Sequence, residues 1–384
     1  MAETYSIRGH GAMLADRVRM DAYEAALARV VRPGSVVLDI GTGTGMMALI
    51  ACRLGARKVY AVDPGDSVHL ARAVARSAGF ADRIEFIQDV STRVELPERA
   101  DVAVSDLRGV LPLFEQHVAS IADARDRLLA PEGVLVPRRD TMYAAPVEAE
   151  EEHRRVTEPW DAHARGFDLA VPRRAALNTW TKTRILPDQL LAEARVWAEL
   201  DYRTLRDPEV RATLAWTVDR AGAMHGIAAW FVTELAEGIG YTTGPEGPET
   251  IYGTAFFPLL HPVPVDAGDA VQVELQARLI GEEYVWVWNT RVEGNGGAKA
   301  DFRQSTFLSQ PARPADLRKR AHDFRPVLGE QGRMDAMLLG MMDGGATLET
   351  IAHELRRRFP ERFRGWEEAL SRAARLSQAY ADEG

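Results

Sequence analysis

The sequence predicts an α/β fold: a Rossmann-like, doubly wound parallel sheet, followed by an antiparallel β-barrel-like domain and a small C-terminal helical domain. Between residues 35 and 137, short apolar runs alternate with longer helix-forming stretches, which is typical of βαβ units. Beyond residue 137, Val, Trp, Thr and Tyr alternate with polar residues between Gly and Pro turns, as in half-buried strands. From residue 315 the apolar periodicity becomes helical.

Five apolar runs supply the strands of the predicted parallel sheet. They are residues 36–38, 58–62, 84–87, 102–104 and 133–136. The segments 46–54 and 66–78 between them are rich in Ala, Leu, Arg and Val, which favours crossover helices. A right-handed, doubly wound arrangement follows, because parallel neighbours require such crossovers.

The chain is predicted to divide at residues 137 and 310–315. The first domain is 1–137, the β domain is 138–310, and the helical domain is 315–384, after a Pro-containing linker at 311–314. Within the β domain, residues 271–275 and 284–288 alternate as strands, whereas 187–195 has a helical pattern. Thr347 has the residue type of a helix N-cap, so a helix is expected to begin after it.

Composition excludes several classes of protein. No run approaches the roughly 20 apolar residues that span a bilayer, so no membrane segment is expected. A net charge of -9 argues against nucleic acid as a partner. Residues 1–6 lack the features of a signal peptide, and one cysteine, Cys52, cannot form a disulfide framework. We therefore expect a cytoplasmic protein in which Cys52 is a small buried apolar residue.

A glycine-rich turn follows the first predicted strand and leads into a helix. Asp39 ends the strand, and Gly41, Gly43 and Gly45 alternate in the turn. Such a turn lets the backbone approach a ligand, with helix N–H groups facing it. A dinucleotide fingerprint would place its third glycine where Met46 stands, which makes NAD the weaker candidate for a nucleotide cofactor.

Two acidic residues follow the next two strands. Asp63 lies 18 residues beyond Gly45, where a carboxylate can accept both ribose hydroxyls. Asp89 follows the third strand and is expected to reach the adenine edge. His225 has neither metal-ligand nor triad spacing around it, and we expect no metal site.

A further pattern lies near the N-terminus: His10, then Met-Leu-Ala-Asp-Arg-Val-Arg at residues 13–19, then Tyr23. It resembles the order of His, then Met-Leu-x-Asp-x-Val-Arg, then Tyr in the protein arginine methyltransferase family, and the resemblance covers residues 5–308. It implies S-adenosyl-L-methionine (SAM) as cofactor, bound by His10, Met13 and Arg19. Arg19 would pair with the SAM carboxylate, since guanidinium binds carboxylate bidentately, and His10 would close over the cofactor.

The resemblance also implies a catalytic pair. The family carries two glutamates nine positions apart on a hairpin, and Asp106 and Glu115 have this spacing. A guanidinium stays protonated, so two carboxylates must neutralise and orient it. The implied reaction is methyl transfer to nitrogen, with an arginine guanidinium of a peptide, protein or free amino acid as acceptor.

Three departures keep other functions open. Asp106 is one methylene shorter than glutamate, Arg108 occupies a position the family leaves uncharged, and Ile251 replaces a histidine, which implies that Asp16 loses its partner. These favour an alternative, an N- or O-methyltransferase acting on a non-arginine small molecule or peptide in specialised metabolism. A third hypothesis is a SAM-binding regulator whose tail binds DNA.

The resemblance extends to assembly. Residues 166–168 and 178–205 resemble the segment that docks on a second subunit, so a homodimer is implied. Tryptophans at period two in strands are expected in the core; they are Trp180, Trp197, Trp216, Trp230, Trp286 and Trp288. The tail loosely resembles winged-helix modules, and its residues 356–358 are expected to be a solvated helix face.

Overall fold

The computed structural model describes residues 6–311 and 313–381. The chain forms two compact units, Met1–Gln310 and Pro311–Gly384. The first five residues, on which the expected absence of a signal peptide largely rests, lie outside the described part. None of the described helices combines the length and apolar character needed to cross a bilayer.

The first unit opens with two helices and the predicted parallel sheet. Helix α1 (Ile7–Ala15) and helix α2 (Arg17–Val30) meet at Asp16, whose side chain caps α2 at the Arg19 N–H. The sheet consists of β1 (Val36–Ile40), β2 (Lys58–Val62), β3 (Ile84–Ile87), β4 (Ala100–Ser105) and β5 (Leu129–Val136). The crossover helices are α3 (Met46–Arg53), α4 (Ser67–Ser77) and α5 (His117–Arg127).

The strand order of the parallel sheet creates a crevice beside the predicted site residues. The order is β3-β2-β1-β4-β5, with all pairs parallel, which confirms the predicted sheet. The order reverses between β1 and β4, and ligands of such sheets bind at the carboxyl ends of the strands on either side of that reversal. The glycine turn follows β1 and Asp106 follows β4, so both open onto this crevice.

The antiparallel domain is confirmed, but its strands form two open sheets. The first has the order β7-β12-β10-β6-β8, with β11 paired to β10, and the second has the order β15-β14-β13-β9. The strands are β6 (Arg139–Val147), β7 (Thr181–Thr183), β8 (Arg195–Asp201), β9 (Val210–Thr217), β10 (Gly222–Ala236), β11 (Ile239–Thr242), β12 (Thr254–Val265), β13 (Ala270–Ile280), β14 (Glu283–Gly294) and β15 (Gly297–Phe302). The described strands therefore form no closed barrel, and the expected barrel is corrected to a pair of sheets.

One helical prediction in this domain is wrong. Only Pro187–Gln189 form a short 3-10 turn, because Leu190 bridges Val147 and Leu191 N–H bonds to Pro146. Pairing with β6 thus overrides the local helical pattern. Two helices that the sequence reading missed, α6 (Glu150–Asp161) and α7 (Ala170–Ala176), connect β6 to β7.

A continuous apolar core joins the parallel sheet to the antiparallel sheets. It contains Tyr23, Leu38 and Cys52 together with Trp197 and Trp288, all buried. Cys52 and five of the predicted tryptophans are buried as expected, whereas Trp180 is only partly buried against this core. Through this core the antiparallel sheet that contains β6, β10 and β11 packs against α2. These three strands therefore lie close to the crevice.

The described residues of the second unit form helices joined by turns and loops. The helices are α8 (Pro314–Arg318), α9 (Glu330–Asp343), α10 (Leu348–Arg358) and α11 (Trp366–Tyr380). Helices α9, α10 and α11 pack around Leu338, Ile351 and Leu355. Thr347 caps α10 through the Thr350 N–H, as predicted. No strand occurs among residues 313–381, so the winged-helix likeness is wrong. Arg357 is exposed and pairs with Glu354, as expected of a solvated face.

Candidate active site

The glycine turn after β1 adopts a conformation that requires glycine. Gly41, Gly43 and Gly45 have φ of +73°, +53° and +86°, a region that other residues rarely adopt. A Cβ at Gly41 would clash with Leu107 Cδ2, and one at Gly43 would lie 2.8 Å from the His10 ring. The turn is therefore close-packed between His10 and Leu107, and Gly45 caps α3.

Two acidic residues hold the turn in place. Asp39 Oδ2 accepts hydrogen bonds from Thr42 Oγ1 at 2.6 Å and the Ala48 N–H at 3.0 Å. Burial raises the pKa of Asp39 to about 7, although these hydrogen bonds oppose the shift. Asp63 Oδ2 accepts from the Gly43 N–H at 2.8 Å. Half-buried Asp63 thus remains at the edge of the turn, where a bound ribose would meet it.

Most of the predicted site residues line one cavity. This active-site cavity has a volume of about 740 Å³ and is lined by residues of α1, α2, the glycine turn and the loop after β4. The predicted residues on its wall are His10, Met13, Arg19, Asp39, Gly41, Gly43, Asp63, Asp106 and Glu115. Asp89 lies in an adjoining cavity of about 360 Å³, which shares Gly41, Leu107 and Glu115 with the first. Asp89 there pairs with Arg93.

Arg19 links the cofactor side of the cavity to Asp106. Its Nε donates to Asp106 Oδ2 at 2.5 Å, and its Nη1 donates to Met13 O at 3.3 Å. Burial of the guanidinium opposes its charge, but Asp106 together with the nearby tyrosines Tyr252, Tyr23 and Tyr241 outweighs that effect and raises the pKa of Arg19. Arg19 Nη2 makes no hydrogen bond to the described residues, which leaves it available to a cofactor carboxylate.

Arg108 is fully buried, and all five of its N–H groups have acceptors. Nε donates to Asp106 Oδ1 at 3.2 Å, Nη1 to Asp140 Oδ1 at 2.9 Å and Thr233 Oγ1 at 2.8 Å, and Nη2 to the hydroxyls of Tyr23 at 2.7 Å and Tyr241 at 3.0 Å. These partners come from α2, β6, β10 and β11. Arg108 therefore points away from the cavity and ties the loop after β4 to the antiparallel domain.

Asp106 is held by two cations and a hydroxyl. Tyr252 OH donates to Oδ2 at 2.5 Å, beside Arg19, and Arg108 binds Oδ1. Burial raises the pKa of Asp106, but Arg19, Arg108 and Tyr252 outweigh it and lower the pKa to about 2. The four buried charges of Arg19, Arg108, Asp106 and Asp140 balance. Asp106 is thus ionised and already neutralised by the protein itself.

The network continues beyond Arg108 to residues that the sequence reading missed. Tyr202 OH donates to Asp140 Oδ2 at 2.5 Å and lies 2.9 Å from His117 Nε2. Burial and the nearby Arg108 lower the pKa of His117 to about 3, so this imidazole is neutral. Asp140 and Tyr202 lie in β6 and after β8, far along the chain, and no local motif marks them.

Glu115 is the uncommitted carboxylate of the site. It lies in the turn before α5 with φ +43°, a conformation that is uncommon for a non-glycine residue and is often found at functional sites. It makes no hydrogen bond or ion pair with the described residues. Burial, Glu282 and Glu283 raise its pKa above the ordinary glutamate value. Glu115 therefore presents a partly desolvated carboxylate to the cavity.

The loop that lacks the family's histidine still contacts the N-terminal helices. Asp16 Oδ2 accepts a hydrogen bond from the Ile251 N–H at 2.7 Å, so the expected loss of the Asp16 partner is wrong. A backbone donor has taken the place of the side chain. The next residue, Tyr252, reaches Asp106, and the loop therefore contacts both the cap of α2 and the site carboxylate.

These features define a class of protein. A switch-point crevice, a tight glycine turn, a carboxylate at the ribose position and an arginine with an uncommitted Nη2 are those of a SAM-dependent methyltransferase. The residues fit the cofactor, because Cβ atoms at Gly41 and Gly43 would fill the cradle. Asp63 would hold the ribose and Arg19 the carboxylate.

Comparisons with known proteins identify the family. A family model described as the arginine methyltransferase oligomerization subdomain matches residues 138–279, and one described as ribosomal protein L11 methyltransferase matches residues 24–150. Protein arginine N-methyltransferase PRMT10 of Oryza sativa subsp. japonica is 31% identical over 307 residues, covering 70% of this chain and 80% of that protein. The chain belongs to the protein arginine methyltransferase family.

Further relatives agree. Arginine N(omega)-methyltransferase of Streptomyces achromogenes subsp. streptozoticus is 31% identical over 284 residues, covering 70% of this chain and 75% of that protein. The structure of Arabidopsis thaliana protein arginine methyltransferase 10 matches with a TM-score of 0.69 and 26% identity, covering 79% of this chain and 98% of that one. The Trypanosoma brucei PRMT1 enzyme-prozyme complex with AdoHcy shares the fold, with a TM-score of 0.73, 24% identity and coverage of 79% and 98%.

Proposed function

We propose that the acceptor is a guanidinium nitrogen of arginine, in a peptide, a protein or the free amino acid. The carrying observation is Glu115, an unpaired carboxylate on the same cavity wall as the glycine turn and Asp106. A guanidinium is permanently charged. Of the two predicted catalytic carboxylates, Asp106 pairs with Arg19 and Arg108, whereas Glu115 makes no ion pair with the described residues. The names of the two relatives described above, both arginine methyltransferases, support the same acceptor.

The roles of the residues follow from their charges. Bound SAM supplies the methyl group from its sulfonium. Glu115 accepts hydrogen bonds from the acceptor guanidinium and orients one of its nitrogens toward the cofactor side of the cavity. Its raised pKa also suits it to take up the proton that this nitrogen releases. Asp106 is a positioning residue, which fixes Arg19 against the cofactor side.

One observation favours a second acceptor class. Both oxygens of Asp106 are occupied by Arg19, Tyr252 and Arg108, so a guanidinium would have one free carboxylate instead of two. A neutral amine or hydroxyl on a small molecule or peptide needs less neutralisation. The second candidate is therefore N- or O-methylation of such an acceptor.

Label transfer from radioactive SAM separates the two. Acceptors are free arginine, an arginine peptide and the same peptide with lysine at every arginine. The proposal expects label on arginine only, and its loss in Glu115→Gln but not in the exposed control Glu132→Gln. Equal labelling of the lysine peptide overturns the arginine assignment and supports the second candidate.

We also propose a head-to-tail homodimer. The oligomerization subdomain model covers residues 138–279, and within it Phe167 and Val171 are 74% and 83% exposed. On α4 of the parallel-sheet region, Leu70 and Val74 are also exposed apolar residues. Contact between these two patches in a pair of chains would cover both.

Light scattering after size-exclusion chromatography tests the dimer. The double variant Phe167→Ser, Val171→Ser should shift the molar mass toward a monomer. Val327→Ser, in the second compact unit, removes an apolar side chain that is 89% exposed and should leave the mass unchanged. A monomeric native protein refutes the proposal. We also propose a cytoplasmic location, which the single cysteine supports.

A further inference from the structure

A separate cavity lies in the antiparallel domain, beside the loop that contacts Asp16 and Asp106. It has a volume of about 310 Å³ and lies between residues 182–185, in and after β7, and the loop 243–254. None of its lining residues lines the active-site cavity or the adjoining cavity. We call it the loop cavity. It contains none of the residues assigned to the cofactor or to the acceptor guanidinium.

The loop cavity contains a buried polar group without a partner. Thr250 lines it, is 8% exposed, and its Oγ1 makes no hydrogen bond with the described residues. Buried hydroxyls are normally satisfied, since leaving one unpaired costs free energy. Two other hydroxyls at the wall, of Thr243 and Thr254, donate to Phe231 O and Thr243 O. Among the described lining residues, Thr250 is thus the one with a fully buried hydroxyl that lacks a partner.

Two cations flank the same cavity. Lys182 Nζ donates to Ile251 O, and Arg184 Nη2 donates to Gly247 O at 3.2 Å. Each group has further N–H donors beyond the bond described. Burial lowers the pKa of Lys182, with Glu249 and Asp16 opposing the shift. Glu249 is the one carboxylate among the lining residues, so the lining carries an excess of one positive charge.

We propose that the loop cavity binds a small anion, a carboxylate or phosphate group, between Lys182, Arg184 and the Thr250 hydroxyl. An ammonium, a guanidinium and a hydroxyl donor together match the acceptor oxygens of such a group. The ligand has two possible sources, an anionic group of the methyl acceptor or a free small anion. Both supply the same chemistry.

The loop offers a direct connection to the active site. Lys182 holds Ile251 by its carbonyl, while Asp16 holds the same residue by its N–H. Tyr252, the next residue, donates to Asp106. An anion that binds Lys182 competes with its hydrogen bond to Ile251 O. The loop is then held differently, and so is Asp106, which Tyr252 of this loop contacts and which positions Arg19. This coupling rests on the proposed function, whereas anion binding itself does not.

Calorimetric titration of the full chain with inorganic phosphate, and separately with acetate, tests the site. One saturable site per chain is expected for at least one probe. Lys182→Gln and Thr250→Val should each weaken it about tenfold or more, as expected for loss of a charge-assisted or buried hydrogen bond. Lys319→Gln, an exposed lysine of the second unit, should bind as the native chain does.

Two results overturn the proposal: no saturable binding of either probe, or equal binding in the native chain and in both variants. Retained SAM affinity and circular dichroism in Thr250→Val, which keeps the side-chain shape, show that the variant is folded. Because these readouts need no methyl transfer, they judge the site even if the arginine acceptor is wrong.

Acceptor kinetics then identify the source of the anion. Free arginine and its amide, which lacks the carboxylate, are compared at several phosphate concentrations. If the acceptor supplies the anion, Lys182→Gln raises KM for arginine but not for the amide, and phosphate competes with arginine alone. If a free anion occupies the site, phosphate changes the rate with both acceptors equally. Either pattern supports the site.

Discussion

Arg108 Nε donates to Asp106 Oδ1 at 3.2 Å, so a cation two residues away neutralises one of the two carboxylates expected to grip the substrate. Arg108 is itself balanced by Asp140 and lies wholly inside the protein. Because its charge is paired in this way, Arg108 does not repel a guanidinium in the cavity. Its effect is to make Asp106 part of the framework and to leave Glu115 as the uncommitted carboxylate.

Replacing Arg108 should destabilise the fold. Arg108→Met leaves Asp106 and Asp140 buried without their shared cation, and breaking a buried pair costs about 3–5 kcal/mol. The free energy of unfolding in urea measures this. Arg206→Met, which breaks an exposed pair with Asp126, should cost at most about 1 kcal/mol. A loss no larger than in that control would show that the network adds little stability.

Replacing Arg19 should weaken SAM binding. Arg19 lines the cavity, and its Nη2 makes no hydrogen bond with the described residues. Loss of a charge-assisted hydrogen bond to that group costs about 1.5–3 kcal/mol. Calorimetry on Arg19→Ala, compared with the exposed control Arg53→Ala, measures the dissociation constant. An unchanged constant in Arg19→Ala contradicts the pairing with the cofactor carboxylate.

Methyl transfer should depend on the ionisation of Glu115. Its pKa is raised by burial, Glu282 and Glu283, and it holds a cation only when ionised. kcat/KM for arginine should therefore rise with pH through this raised pKa and then level off. In Glu115→Gln this acidic limb of the pH profile should disappear, and the rate should fall about 10²–10⁴-fold. SAM affinity should be retained.

Glu282→Gln provides the matched test of that pH dependence. Removing one neighbouring negative charge should move the acidic limb to lower pH, since the ionised form of Glu115 is then less disfavoured. If the acidic limb of the kcat/KM profile does not move in Glu282→Gln, or is still present in Glu115→Gln, then a group other than Glu115 is titrating.

The cofactor-free protein should lose stability as pH rises toward neutrality. The folded pKa of Asp39 is about 7, above the unfolded value of about 3.9. The folded state therefore binds more protons between these values, and its stability falls across that window by about 2–4 kcal/mol. Asp39→Asn, which keeps an acceptor oxygen, should flatten the urea-unfolding profile between pH 4 and 7, whereas the exposed control Asp82→Asn should not.

Much of the first domain could be predicted because its signals are local. The five strands, α3, α4 and the turn at Gly41 to Gly45 each depend on residues adjacent in the chain. The proposed helix over residues 187–195 failed because strand pairing with β6, some forty residues earlier in the chain, overrode it. The predictions of a closed barrel and of a winged-helix tail were wrong for a related reason. Whether a sheet closes, and whether a segment forms a strand at all, depends on pairing partners that lie far away in the chain.

The amino-acid order alone determined which residues border the crevice, because the strand pattern dictates that the loops after β1 and β4 open at one sheet edge. It also placed Asp106 and Glu115 nine positions apart. Tertiary packing decided how the two acids differ. Arg108 finds Asp140, Thr233 and Tyr241 only when β6, β10 and β11 fold onto α2. Burial of a charge demands such partners, and they lie up to 133 residues away in the chain, so no local pattern reveals which carboxylate stays free.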